Sequence, residues 1–248
     1  MPKGFEEVTE ATHRKLRLIL RVGGLDKNGK THFGLTAPAP IGVLDMDRGL
    51  EGVVEKFVAE KTIYFKSFRN MPNKTQKDYD ARYEAFEDGF FTLLADSAVR
   101  TVLVDTDTES WEMIRLSYLG KLTQVKPIHY AQVNGAYRKL IDAAYDSDKN
   151  LILISRYKKQ YVQKSKTSDD RSWNGKFEPS GMNELPFLVQ ANLRSRLAME
   201  DGELKHTIEV INCRQNMNIA GDVYEGDMAT FPWLASFIMD GTTPEDWE

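Results

Sequence analysis

Residues 22–47 read VGGLDKNGKTHFGLTAPAPIGVLDMD, and the segment GLDKNGKT at 24–31 within them decides which fold the chain can adopt. Two glycines enclose four residues and are followed directly by Lys30 and Thr31. Glycine lets a backbone curl so that successive N–H groups point at one anion, while lysine adds a cation and threonine a metal ligand. This spacing is typical of a loop that cradles the phosphates of a nucleotide.

The sequence on either side of this segment supports the same interpretation. Residues 15–22, KLRLILRV, alternate basic and apolar side chains before two glycines, which predicts a strand that runs into a turn. A short helix is expected to begin at Lys30 and to end before the prolines of 37–40. The pattern G-x-x-x-x-G-K-[ST], known as Walker A, arises by chance in about one of a hundred chains of this length. We therefore predict nucleotide binding by Gly24, Lys27, Asn28, Gly29, Lys30, Thr31 and His32.

A second motif is expected to complete a metal site. Residues 102–105, VLVD, are an apolar run that ends in a carboxylate, as in the Walker B motif, whose aspartate holds Mg²⁺ beside the phosphates. In this interpretation Thr31 and Asp105 hold the metal, and Lys30 reaches the phosphates.

Several carboxylates are candidates for activating a water molecule: Asp47, Asp107 and Glu109. AAA+-type ATPases place a glutamate directly after the Walker B aspartate, but here Thr106 follows Asp105. Asp47 lies at the end of a predicted strand, at the carboxyl edge where open α/β sheets bind ligands. We therefore predict catalysis by Lys30, Asp47 and Asp105, with Asp45 in a structural role.

Apolar runs and helical patterns alternate along the chain, which predicts an α/β fold with a mostly parallel sheet flanked by helices. Farther on, two alternating runs flank Glu200-Asp201-Gly202, and Asp-Gly between such runs predicts an antiparallel hairpin that extends the sheet. The strand-like runs are 15–22, 41–44, 101–105 and 150–155, the helical patterns are 76–98, 109–118, 131–146 and 230–239, and the hairpin runs are 187–199 and 203–214.

The composition suits a folded domain and excludes several kinds of protein. Of 248 residues 41% are apolar, and the net charge of -4 argues against a general electrostatic wrapping of nucleic acid. Cys213 stands alone, which excludes an internal disulfide and a cysteine-built metal site. No apolar stretch reaches the length of a membrane helix, and the N-terminal residues are too charged for a signal peptide. We expect a cytoplasmic protein with no membrane partner.

Taken in order, these features resemble the core of the RecA-like ATPases: Walker A, a strand ending in DMD at 45–47, Walker B, then a strand that leads into a basic segment. In that family a glutamate two residues past an aspartate is the general base, and Asp47 stands in its place here. The chain also resembles phage-encoded P-loop proteins with a RecA core, some of which act in recombination and single-strand annealing. The segments that carry the resemblance are 29–52, 101–116, 120–141, 150–162 and 173–194.

The resemblance implies a single RecA-like ATPase domain over residues 1–248, with a core at about 15–214 and a C-terminal helix and acidic tail at 215–248. It implies ATP and Mg²⁺ as cofactors and a homo-oligomeric ring or filament. It also implies single-stranded DNA as a partner, beside a single-stranded-DNA-binding protein. A phage-encoded protein of this kind would work in the host cytoplasm.

Residues 156–178 are the expected site of contact with DNA. They carry no apolar core stripe, which predicts a long loop or a loose hairpin. Cations would follow phosphates and aromatic rings would stack on bases, as in sequence-tolerant single-strand grooves. Two alternatives stay open, a solvated charged hairpin and, from the resemblance, a finger that reaches a neighbour's γ-phosphate. The residues concerned are Arg156, Lys158, Lys159, Tyr161, Lys164, Lys166 and Trp173.

Two other functions are compatible with the same motifs. A P-loop kinase would pass the γ-phosphate to a small acceptor, with 156–178 as its lid. A nucleotide-gated binding module would hydrolyse ATP very slowly, because Asp47 is shorter than the glutamate of the family.

Two further features are assigned no function. His206 lies in an alternating run and is predicted to be a packed or surface imidazole. The terminal sequence PEDWE at 244–248 is expected to fray, and the alternative is a partner-binding peptide with Trp247 as its aromatic anchor.

Overall fold

The strands at the centre of the sheet are short apolar runs, buried because helices cover both of their faces. The computed structural model describes residues 16–122, 126–163, 171–200 and 202–248. Within these ranges the strands are β1 Ile19–Gly24, β2 Ile41–Asp45, β3 Ile63–Ser67, β4 Thr101–Asp105, β5 Asn150–Gln163, β6 Arg171–Pro179, β7 Ala191–Glu200, β8 Glu203–Cys213 and β9 Val223–Glu225. Every residue of β1, β2 and β4 is buried, as are the first six residues of β5.

The strand order is β3-β2-β4-β5-β1-β7-β8-β9, and β6 pairs with the outer part of β5. All neighbours from β3 to β7 are parallel, whereas β8 and β9 extend the sheet in antiparallel fashion. β5 therefore lies between β1, which leads into the Walker A segment, and β4, which ends in the Walker B aspartate. The chain has an α/β fold, and the predictions of a mostly parallel sheet flanked by helices and of a C-terminal hairpin that extends it are confirmed.

The helices are α1 Lys30–Leu35, α2 Gln76–Ala95, α3 Asp107–Leu119, α4 Tyr130–Asp146, α5 Leu185–Leu188 and α6 Phe231–Ile238. They form one apolar layer on each face of the sheet. Leu20 and Val22 of β1 point to the layer that contains α1 and α6, while Ile19 points to the layer that contains α2, α3 and α4. The helix predicted within residues 76–98 lies in this second layer, where its side chains Phe86 and Phe90 are buried.

The basic segment is a β-ribbon, which corrects the prediction of a long loop and agrees with the alternative of a hairpin. β5 continues beyond the sheet and pairs antiparallel with β6, from the pair Tyr157–Pro179 to the pair Gln163–Arg171. We call residues 156–163 and 171–179 the ribbon. The apolar core stripe is missing from its sequence because most of its side chains are exposed or only half-buried.

The edge strand β3 is not predicted by the sequence analysis. Among the described strands it pairs only with β2, and Tyr64 and Phe65 are mostly exposed. A strand without a buried face shows no apolar alternation, so the only available signal was the high strand propensity of Ile63, Tyr64 and Phe65.

The terminal sequence PEDWE does not fray, which corrects the expectation. It forms a 3₁₀ turn at Pro244–Trp247, where Asp246 accepts a hydrogen bond from the N–H of Thr243 at 2.8 Å. The indole of Trp247 is 1% exposed, packs on Phe231 with a centroid separation of 6.1 Å, and donates to the hydroxyl of Thr242 at 3.0 Å. The aromatic anchor therefore occupies the core of its own chain.

We expect Trp247→Ala to lower the free energy of unfolding by about 3–5 kcal/mol, because it removes a fully buried aromatic side chain. Trp233 is the matched control, since its indole is 39% exposed on α6, and Trp233→Ala should cost well under half as much. Urea denaturation followed by far-UV circular dichroism measures both. Equal losses for the two variants would show that the terminal turn does not stabilise the core.

Candidate functional site

The Walker A segment, residues 24–31, folds as a tight loop between β1 and α1, and we call it the phosphate loop. Lys27 and Gly29 both adopt left-handed backbone angles, with φ of 59° and 78°. Two left-handed residues so close together bend the chain back on itself and direct consecutive peptide groups inward. α1 begins at Lys30, and the first N–H groups of a helix have no carbonyl partner within it.

The side chain of Lys30 runs back across the phosphate loop. Its Nζ donates a hydrogen bond to the carbonyl oxygen of Leu25 at 2.6 Å. Burial lowers the pKa of Lys30, and the negative charges of Asp105, Asp26 and Asp47 act in the opposite direction. The ammonium group is thus held inside the loop, in the potential of several carboxylates.

Thr31 of the Walker A segment and Asp105 of the Walker B segment are in direct contact. The hydroxyl of Thr31 donates to Oδ2 of Asp105 at 2.6 Å. Asp105 is almost fully buried, and this burial raises its pKa to about 7 although the Thr31 hydrogen bond acts to lower it. A Cβ added at Gly49 would lie 2.3 Å from the same Oδ2, so a side chain at position 49 would collide with the carboxylate.

The strand register explains why carboxylates gather at this edge. Asp45 of β2 lies opposite Asp105 of β4, and the N–H of Met46 donates to the Asp105 carbonyl oxygen at 2.7 Å. Asp45 itself accepts the N–H of Gly49 at 3.0 Å and holds the turn after β2, in agreement with a structural role. Asp47 follows two residues later and faces the site.

Arg156 bridges two of the predicted water-activating candidates. Its guanidinium group donates to Oδ2 of Asp47 and to Oε1 of Glu109, and all three side chains are partly exposed. Arg156 also pairs with Gly24, the first residue of the phosphate loop, in the β1–β5 register. It therefore lies among the charged side chains beside the phosphate loop of its own chain, apart from the other cations of the ribbon.

Asp107, the remaining candidate, does not face this edge. It is fully buried at the start of α3, where burial raises its pKa to about 6 while the charge of Arg21 and the nearby hydroxyl of Ser155 act to lower it. Arg21 also donates to the Ser155 hydroxyl at 2.6 Å. The side chain of Asp107 thus belongs to an interior network between β1, β5 and α3.

A cavity of about 640 Å³ lies beside the phosphate loop. Residues 27–32 form its floor, residues between Arg48 and Lys56 form one wall, and Leu197 and His206 of the β7–β8 hairpin form the other. His32 lies on this floor with its ring 4.9 Å from that of Phe57. The volume and the open, polar floor suit a nucleotide whose phosphates rest on the loop.

The ribbon carries an aromatic and basic cluster near its described end. Tyr161 and Trp173 are about half exposed and face each other across the ribbon, and Nζ of Lys159 lies 4.9 Å from the Trp173 ring centroid. Lys158 is 3.7 Å from Glu178, a surface contact of low energy. Lys164 and Lys166, also predicted to bind DNA, lie outside the described residues.

Sequence reasoning missed two residues that touch the phosphate loop, Ser195 of β7 and His206 of β8. Ser195 is fully buried and its hydroxyl contacts the carbonyl oxygen of Asn28. The nearest signal in the sequence is a serine at a position where the alternation of β7 calls for an apolar residue. That serine can be linked to the phosphate loop only when β7 is known to pair with β1, and local sequence patterns do not reveal this pairing.

Within the described ranges, no group of three or more His, Cys, Asp or Glu side chains is arranged to hold a metal ion. In the same part of the chain, no helix combines the length and the apolar character needed to cross a membrane.

Comparison with known proteins identifies a structural similarity but no sequence family. No family model matches the chain, and no curated protein matches it. Among solved structures, the chain is similar to that of a KaiC-like protein, PH0186, from the hyperthermophilic archaeon Pyrococcus horikoshii OT3. The two share 14% identity over 84% of each chain, with a TM-score of 0.47. A similarity at this level carries no information about function.

Replacing Asp105 by asparagine should stabilise the free protein at high pH. Burial raises the pKa of Asp105 to about 7 in the folded state, above its ordinary value of 3.8, so the folded protein binds this proton more tightly than the unfolded chain. The wild type therefore loses stability as the pH rises from about 4 to about 7, by at most about 4 kcal/mol, and the variant does not.

The measurement is the free energy of unfolding by urea at about pH 5 and about pH 8, with a chelator present. The advantage of Asp105→Asn should be large at the higher pH and small at the lower one. Asp88→Asn, on an exposed part of α2, should show no such difference. An advantage that does not change with pH would mean that Asp105 stays ionised throughout.

Proposed function

We propose that the protein is a Mg²⁺-dependent ATPase whose turnover is stimulated by single-stranded DNA. The observation that carries the nucleotide part is the 2.6 Å contact between the Thr31 hydroxyl and the Asp105 carboxylate, next to the Lys30 ammonium group. A hydroxyl, a carboxylate and a cation at the mouth of a left-handed glycine loop are the groups that hold a metal-bound polyphosphate.

The donor set at this edge fits Mg²⁺. Mg²⁺ in nucleotide sites is bound by one or two protein oxygens and takes its remaining ligands from phosphate and water. Thr31 and Asp105 supply that number of oxygens. Bound there, the ion would neutralise charge that develops on the transferred phosphoryl group.

Each residue of the proposed site then has a defined task. The N–H groups of the phosphate loop bind the phosphate oxygens, and Lys30 exchanges the carbonyl of Leu25 for the β- and γ-phosphates. Asp47 accepts a proton from water as the water oxygen bonds to the γ-phosphorus. The bond to the β–γ bridging oxygen breaks, and ADP and inorganic phosphate leave.

Arg156 supports a link between turnover and the ribbon. In the free protein its guanidinium group is paired with Asp47, the residue that must orient the water. Arg156 is also the residue at which β5 leaves the sheet and the ribbon begins. We propose that Arg156 restrains Asp47 until a ligand binds the ribbon and draws Arg156 away. A change in the path of β5 at this residue would move the guanidinium group.

Single-stranded DNA is the proposed ligand of the ribbon. Tyr161 and Trp173 expose flat apolar surface for stacking on bases, and Lys159 adds a cation beside the Trp173 ring. The resemblance to phage-encoded RecA-core proteins supports a role in recombination, annealing or replication, beside a single-stranded-DNA-binding protein. We further propose a homo-oligomer, in which the finger role of Arg156 toward a neighbour would compete with its pairing to Asp47.

Lys30→Ala is expected to lower ATP affinity and turnover by at least about a hundredfold, because the loop loses the ammonium group that is held inside it. Calorimetric titration with MgATP and phosphate release in the presence of single-stranded DNA measure the two effects. Lys139→Ala is the matched control, a lysine on α4 that contacts Glu87 far from the loop. A Lys30→Ala protein with wild-type affinity and turnover would refute the nucleotide site.

Arg156→Ala should raise turnover without DNA by about threefold to tenfold, since release of a half-exposed ion pair is worth about 1 kcal/mol. The addition of single-stranded DNA should then produce little further increase. Lys158→Ala, two residues along the ribbon, should keep the low basal rate. If Arg156→Ala instead lowers turnover with and without DNA, Arg156 acts on the phosphates and does not restrain Asp47.

A further inference from the structure

A chain of hydrogen bonds runs from the β7–β8 hairpin to the phosphate loop. Oγ of Ser195 on β7 lies 2.9 Å from Nε2 of His206 on β8 and contacts the carbonyl oxygen of Asn28 in the loop. The side-chain amide of Asn28 donates in return to the carbonyl oxygen of Ser195 at 3.4 Å. Two strands that follow the Walker A segment by well over a hundred residues thus hold the peptide next to Gly29.

The donor and the acceptor in each of these hydrogen bonds follow from the number of protons that the groups carry. A serine hydroxyl has one proton, and the carbonyl of Asn28 can only accept, so Ser195 donates to Asn28. The remaining contact of the hydroxyl must then be filled by a donor, which makes Nε2 of His206 the protonated ring nitrogen. Neutral His206 in this tautomer satisfies both contacts of the Ser195 hydroxyl.

Packing presses the loop against the same two strands. A Cβ added at Gly24 would lie 2.6 Å from the carbonyl oxygen of Ser195, and one added at Gly29 would lie 2.7 Å from the imidazole of His206. The loop is therefore in contact with Ser195 near its start and with His206 near its end. Both glycines of the Walker A pattern allow this approach.

The consequence concerns the peptide bond between Asn28 and Gly29. In a trans peptide the C=O and N–H groups point in opposite directions. Because the Asn28 carbonyl is bound by Ser195 on β7, the N–H of Gly29 points away from that strand. A carbonyl in the reverse orientation would present a partial negative charge to a phosphate, whereas an N–H attracts it.

We propose that Ser195 and His206 are positioning residues that set the Asn28–Gly29 peptide for binding the phosphates of a nucleoside di- or triphosphate. This inference rests on the proposed nucleotide site and adds two residues that no Walker motif contains. A serine at a fully buried position of β7 agrees with such a role, because a buried hydroxyl is costly unless its hydrogen bonds are made. Leu193, two residues earlier on the strand, is also buried and has the apolar side chain that is usual at such a position.

Three variants test the proposal. Ser195→Ala removes the central hydroxyl, His206→Leu removes the donor while keeping bulk, and His206→Gln supplies a new N–H donor. We expect Ser195→Ala and His206→Leu to weaken MgATP and MgADP by about fivefold to tenfold, the effect of one hydrogen bond, with KM raised and kcat nearly unchanged. His206→Gln should recover most of the affinity.

Amide hydrogen exchange of the nucleotide-free protein provides a second readout. Exchange in peptides covering residues 24–31 should be faster in Ser195→Ala and His206→Leu, while the thermal midpoint and exchange elsewhere stay close to wild type. A merely structural role would lower the midpoint and speed exchange across the sheet. Wild-type affinity in Ser195→Ala, or equal losses in His206→Leu and His206→Gln, would overturn the proposal.

The Lys30→Ala protein separates this proposal from the nucleotide site itself. If Lys30→Ala loses ATP binding while Ser195→Ala keeps wild-type affinity, the site stands and the positioning role falls. If wild-type protein binds neither ATP nor ADP, both proposals fail together.

Discussion

The buried carboxylate of Asp105 is the constraint around which the site is built. It lies at the end of a strand buried on both faces, and a charge in such a place is tolerated only with partners close by. Thr31 donates to it, Lys30 is near, and Gly49 leaves the space it occupies. The turn after β2 and the start of α1 are thus fixed by one group. A divalent cation in the same place would supply the positive charge that the protein provides only in part.

The two strands that flank β1 each contribute a side chain that contacts a different part of the site. On one side β5 continues into the ribbon and carries Arg156, which is paired with Asp47. On the other side β7 carries Ser195, which binds the loop itself. A ligand on the ribbon would act on Asp47, the carboxylate proposed to orient water, whereas a displacement of the β7–β8 hairpin would act on the phosphate loop. Because the contacts are separate, the two proposed steps, phosphate binding and water activation, can be altered one at a time.

The sequence was sufficient for the features that depend on local chemistry. The loop at 24–31, the apolar runs that become β1, β2 and β4, and the hairpin after residue 190 all follow from spacing and alternation. Long-range pairing could not be read in this way. His206 looked like an ordinary strand residue because nothing local shows that β8 lies beside the loop, and Trp247 looked like part of a loose terminus because its core partner Phe231 belongs to a separate helix. Arg156 resembled its basic neighbours because its carboxylate partners lie in other segments.

If Gly29 or Gly49 were replaced by a residue with a side chain, a second mutation elsewhere could compensate to different extents at the two positions, which matters for suppressor genetics. At Gly49 the obstacle is space alone, and the space belongs to Asp105, so any compensating change would have to disturb the carboxylate that the site needs. At Gly29 a shorter residue in place of His206 would remove the collision but would leave the left-handed backbone to be occupied by an L-residue. Asparagine tolerates that backbone better than alanine does. Because His206 is also proposed to position the Asn28–Gly29 peptide, a small side chain at 206 would relieve the collision but weaken phosphate binding, so a return to glycine at 29 is the expected revertant.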